Sequence, residues 1–182
     1  MQPFPMQSGR WYAPTVVKLN DESLTDENYL YALPIYVPNT ISVSSVSVVV
    51  SETLPGTEAR LGIYSDNGSG FPDALQAEAD DVVDCSTSGG KEAPIDCELT
   101  PGWYWLACVV HGPAKFQSAN HSEQTLALLG ADTSGNAMMQ SSAKAGIAAE
   151  FTYAPLPATF PTGGLAATIV GTPCPIMAML VA

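Results

Sequence analysis

Across residues 41–50 apolar and hydroxyl side chains alternate as Ile-Ser-Val-Ser-Ser-Val-Ser-Val-Val-Val, the period-two pattern of a strand with one buried face. The apolar set is odd-numbered at Ile41 and Val43 and even-numbered at Val46, Val48 and Val50. One extra residue at Ser44 and Ser45 keeps both halves on one face, so a β-bulge is expected there. Upstream, residues 29–37 are aromatic and aliphatic but contain Pro34, which has no N–H to give a ladder, so they read as an edge or bulged strand. Residues 102–111 are apolar on both alternating sets, so both faces must be covered: a central strand, with the core on one side and a loop or a partner chain on the other.

Further strands are expected at 60–64, 78–83, 92–99, 124–129, 147–153 and 176–181, and no long window carries a helical period. The 15 prolines and 15 glycines fall mostly between these segments, at spacings suited to about eight to ten short strands. The fold class is therefore all-β, an antiparallel β-sandwich of jelly-roll type. Residues 1–10, with two prolines and a Ser-Gly pair, form a short extended N-terminal arm ahead of one domain over 11–182. In that arm Phe4 and Met6 are candidates for docking on a neighbour. The proline-rich stretch 155–175 is expected to wander over the surface before the last strand.

Charge narrows the function. The net charge is −12 with only six Lys and Arg, so no basic stripe exists to neutralise phosphates, and nucleic-acid binding is excluded. Anionic membrane surfaces would repel the chain, and no apolar run approaches the roughly 20 residues of a membrane span, so insertion is not expected. The first residues lack the basic and apolar regions of a secretory leader, which points to synthesis in a cytoplasm. Cys85, Cys97, Cys108 and Cys174 have no metal-site spacing and read as free buried thiols. The alternative for one pair is a Cys85–Cys97 disulfide across a hairpin turning at 88–91.

Candidate chemistry is sparse. His111 and His121 come with no nucleophile elbow, and the carboxylates Glu52, Glu58, Asp66, Asp73, Asp80, Asp81 and Asp84 read as a solvated surface. The Asp66-Asn67-Gly68-Ser69-Gly70 loop offers oxygen ligands without EF-hand spacing and reads as a turn. No catalytic residue, cofactor or metal is assigned. In the most apolar strand either Trp103 and Trp105 or Tyr104 is expected to fill the core, whereas Trp11, Tyr12 and Phe71, near loops, are the better candidates for stacking on a glycan or contacting a partner.

Several of these segments, in this order, resemble a domain common in phage virion proteins, found at tail-fibre tips and in other appendages. They are Gly9-Arg10-Trp11-Tyr12, residues 31–38, residues 59–68, Phe71-Pro72-Asp73-Ala74-Leu75, and residues 99–107. The likeness covers nearly the whole chain from residue 9. It implies a β-sandwich in the virion, made in the host cytoplasm, that contacts other virion proteins and forms a homo-oligomer, a trimer first. It implies a structural surface protein such as a capsid decoration or a head or tail appendage, with host-surface glycan recognition as an added activity. A dedicated receptor-binding tail-fibre tip is the alternative, and a glycan-degrading enzyme a third reading. No catalytic motif is carried over.

Overall fold

A computed structural model describes residues 4–14, 18–24, 28–112, 115–120, 146–161, 168–170 and 174–182. Among these residues there is no helix, and strands build two packed antiparallel sheets. Sheet I contains β1 (Trp11–Tyr12), β2 (Lys18–Leu24), β4 (Ile41–Glu52), β8 (Gly89–Leu99), β10 (Lys115–Asn120), β13 (Cys174–Pro175) and β14 (Met177–Val181). Sheet II contains β3 (Tyr29–Val37), β5 (Glu58–Asp66), β6 (Pro72–Glu78), β7 (Val83–Asp84), β9 (Gly102–His111), β11 (Gly146–Glu150) and β12 (Thr168–Val170).

The main core lies between the sheets. From sheet I it takes Ile41, Val43, Val46, Val48, Val50, Ala93, Ile95, Cys97, Leu99, Met177, Met179 and Val181; from sheet II, Leu33, Ile35, Leu61, Ile63, Leu106, Cys108 and Val110. The phase change in β4 is a real irregularity. Leu180 pairs with Ser45 and Val181 with Val43, so β4 holds one residue more than β14 there, and the pairing with β8 also shifts between Val43 and Ser45. Ser45 turns its hydroxyl to the Ala93 carbonyl at 3.0 Å.

β3 lies inside its sheet, not at its edge. Residues 29–32 pair with β11, while the whole strand from Leu30 to Val37 pairs with β9. Pro34 sits beyond the last β11 partner, where only one side of the strand is laddered, so its missing N–H costs no bond to β11.

Three further expectations need correction, and the Cys85–Cys97 alternative falls away in favour of the free buried thiols expected. The strand expected at 78–83 is instead β6 and β7, with a turn between them, because β6 is a little-buried edge strand without clear alternation. The strand expected at 147–153 stops at Glu150. The Cys85–Cys97 hairpin does not form: Cys85 follows β7 on sheet II, Cys97 lies on β8 of sheet I opposite Val43, and both thiols are free and buried. Residues 155–161 do not wander, since Leu156 and Phe160 are buried against sheet II. The strand expected at 124–129 lies outside the described residues.

The arm folds back onto its own sandwich. Met6 packs against the main core, and its N–H and carbonyl both bond to the Asn39 side chain, at 2.8 and 3.3 Å. Gly9 donates to the Val181 carbonyl at 2.8 Å.

Candidate functional site

Sheet II is apolar on its outer face as well. Leu30, Ala32, Tyr64, Trp105, Ala107, Val109, Ile147 and Ala149 form a second cluster there with Leu156 and Phe160, so residues 151–161 act as a strap over the sheet. The cover required by the doubly apolar β9 therefore comes from the same chain. The strap also pairs with the edge of β6: Leu75 donates to the Ala158 carbonyl at 2.9 Å and Phe160 to the Asp73 carbonyl at 2.7 Å. Phe160 meets Tyr64 edge to face at 5.3 Å, and the Tyr64 hydroxyl donates to the Pro157 carbonyl at 2.9 Å. Gly62 is required where the strap crosses β5. A Cβ there would sit 2.4 Å from Leu156 Cδ1 and 2.9 Å from the Ala77 carbonyl oxygen.

The strap does not hide the whole face. Tyr36 on β3 and Trp103 on β9 are direct cross-strand partners, and their ring centroids lie 5.2 Å apart at 60°. They remain 38% and 39% exposed, whereas Trp105, two residues along β9, is buried. Of the two alternatives for this strand, Tyr104 is the one that fills the main core, and Trp103 does not. It shares the outer face with Trp105, and that face runs out from under its cover at the end of the strand. Tyr36 was not singled out, because within a strand read as an edge or bulged one nothing in its aromatic and aliphatic neighbours marks which ring stays exposed.

Beside this pair lies the Asp66–Gly70 loop. Tyr64 pairs with Trp105 and Ser65 with Tyr104, which sets Asp66 at the next position, on the outer face with Trp103. One carboxylate oxygen of Asp66 accepts the indole N–H of Trp105 at 2.9 Å, and the other accepts the N–H groups of Gly68 and Gly70 at 2.7 and 3.3 Å. Asn67 Oδ1 accepts from Ser69 at 2.8 Å and Phe71 at 3.4 Å. These oxygens are directed at N–H donors, a donor set that organises the turn and does not suit a shared cation. Gly68 and Gly70 have φ of 83° and 82°, a region that glycine adopts without strain.

The candidate residues are not brought together. Phe71 is half-buried against the outer cluster, beside the Asp66 loop. Trp11 and Tyr12 are on sheet I, paired with Leu180 and Met179. Trp11 is exposed, but Tyr12 packs on the core and its hydroxyl accepts the Gln7 N–H at 2.8 Å, so it pins the arm. Met6 is likewise taken up by its own core, while Phe4 stands 92% exposed.

A polar group closes the other end of the strap. Glu78 bonds Arg60 at 2.9 Å and accepts the Leu156 N–H at 3.1 Å. Tyr153 has Arg60 above its ring at 5.7 Å, lies 5.2 Å from His111 and donates to Glu58 at 3.4 Å. Burial, then the nearby Glu58 charge, pushes the Tyr153 phenol up to about 12. Burial also raises Tyr64, Cys97, Cys108 and Cys174 above their ordinary values, and Cys85 to about 12, which leaves the thiols protonated and unreactive at neutral pH. Glu78 is committed to holding the strap, and His111 has no nucleophilic thiol or hydroxyl bonded to it among the described residues. Among those residues no group of three or more His, Cys, Asp or Glu side chains is placed to hold a metal ion. His121 lies outside the described residues. The chain matches no protein-family model and no curated protein.

Proposed function

We propose that this chain is a non-catalytic surface protein of a bacteriophage particle, a β-sandwich of jelly-roll type that assembles with other virion proteins and with copies of itself, as a trimer first. The jelly-roll reading is supported by the path of the chain, which changes sheet between β3 and β4, β4 and β5, and at each step from β7 to β11. The virion reading rests on the resemblance of the ordered segments alone. Those segments have structural roles in one packed unit: Gly62 lies beneath the strap, Asp66 is bonded to Trp105, and Phe71 and Leu75 pack beside them. A likeness that resides in scaffold residues is a likeness of fold, with function carried by the surface around it.

Purified particles from infected cells test the proposal. Mass spectrometry should find the chain in them, and labelled antibody should locate it on the outside of head, tail or fibre. Its absence from particles overturns the proposal. The second reading, a dedicated receptor-binding tip, is favoured by the exposed Tyr36–Trp103 pair. It requires the purified protein to bind host cells and compete with adsorption, and failure of both removes it.

A further inference from the structure

We propose that Tyr36 and Trp103 form a stacking platform for an uncharged glycan, a reading that rests on the surface role above only in taking the face to be displayed. The two rings are adjacent, tilted by 60° and half-uncovered at the end of a rigid, laddered sheet. Their backbones are set before any ligand arrives, because both belong to the β3–β9 ladder, and the two rings pack on each other. Pre-set rings lose little side-chain freedom on binding.

Size decides between a protein and a sugar as occupant. An aromatic side chain presents about 150–250 Å² in all. At 38% and 39% exposure the pair therefore offers on the order of 120–190 Å². A stable protein interface needs about 800 Å² from each partner, so the pair falls well short of one. It suits the C–H face of one or two sugar rings. In the loop that follows Asp66, Asn67 spends its Oδ1 on Ser69 and Phe71, and its Nδ2 has no partner among the described residues, which leaves it a donor for a hydroxyl.

Charge selects the class of glycan. Neither β3 nor β9 carries a lysine or arginine, and Arg60 on β5 is committed to Glu78 at the far end of the strand. With Asp66 beside the rings and a net charge of −12, uronic acids or phosphorylated sugars would meet repulsion with no compensating cation beside the pair among the described residues. Neutral hexose chains face no such penalty.

Titration of the full chain with maltohexaose, cellohexaose and mannohexaose, followed by tryptophan fluorescence and calorimetry, tests this. At least one should bind with Kd of about 1 mM or tighter. Trp103→Ala and Tyr36→Ala should each weaken binding about tenfold or more, Trp103→Phe should retain most of it, and oligogalacturonate should bind more weakly. Because Trp103 is partly exposed, Trp103→Ala should melt within a few degrees of the parent, so lost binding is not lost folding. The proposal is overturned if none of the three neutral sugars binds, if the acidic sugar binds best, or if Trp11→Ala removes binding in place of Trp103→Ala. A change in oligomeric state on Trp103→Ala, without sugar binding, would make the face a protein interface and overturn it too. A chain found in particles that binds no sugar defeats this inference alone, whereas sugar binding by a chain absent from particles defeats only the virion proposal.

Discussion

The two sheets solve burial differently. Sheet I is one-sided over its long strands: β8 alternates buried Ala93, Ile95, Cys97 and Leu99 with exposed Glu92, Pro94, Asp96 and Glu98, and β4 sends every valine but Val49 inward and most of its serines outward. Sheet II is two-sided, with β9 buried from Tyr104 through Val110, so it depends on a strap contributed from much later in the chain. A one-sided strand carries the fate of both faces in its own residues. A two-sided strand shows only that cover is needed, and the exposed Tyr36–Trp103 pair marks where that cover ends.

The largest test of this contrast removes the strap's anchor. Phe160→Ala deletes a buried ring packed on Tyr64 and should cost about 3–5 kcal/mol by urea denaturation, with new binding of a hydrophobic dye. A cost below about 1 kcal/mol would mean that sheet II does not rely on the strap. Gly62→Ala probes the same contact by overfilling it. The added methyl meets both Leu156 and the Ala77 carbonyl, so a loss of about 1–3 kcal/mol is expected.

Those positions also show how far the sequence could be read. The alternation of β4, its bulge at Ser44–Ser45 and the two-faced burial of β9 follow from residue periodicity, because each depends on neighbours one or two places along the chain. The strap was not legible. Pro155, Pro157 and Pro161 read as a surface loop, although Leu156 and Phe160 between them are anchors whose partners lie on other strands. The site was less legible still. Trp103 and Trp105 have the same parity and nearly the same neighbours, and only the reach of the strap separates the exposed ring from the buried one. Asp66 looked like one more surface acid, since its bond to Trp105 depends on the register of β5 against β9.

Alkaline pH tests burial on both faces of sheet II at once. Cys85 is held at about 12 against 9.0, and Tyr153 at about 12 against 10.0, by burial first. For groups whose folded pKa lies above the unfolded value, the contribution to stability is complete below the unfolded pKa and is lost as pH rises through the folded one. Stability should therefore be level up to about pH 8.5, then fall between about pH 9 and 12, at most about 1.4 kcal/mol per pH unit for each buried thiol. Urea midpoints at about pH 8, 9.5 and 11 measure this. Cys85→Ala should flatten the descent, and an unchanged slope would remove that thiol from the account.

The smallest expected effect is on the outer face of sheet I. Glu98 is exposed on β8, its registered partner Ser42 is exposed, and Asp96 lies two residues away on the same face. Glu98→Lys should therefore change stability by no more than about 0.5 kcal/mol, because both side chains keep their charge in water and no buried contact is lost. The sign should be slightly favourable at low salt, since the change relieves repulsion from Asp96 and reduces the magnitude of the −12 net charge. Added salt should erase that gain by screening it. A loss of more than about 1 kcal/mol would show that this face is covered after all, and sheet I would then be two-sided like its partner.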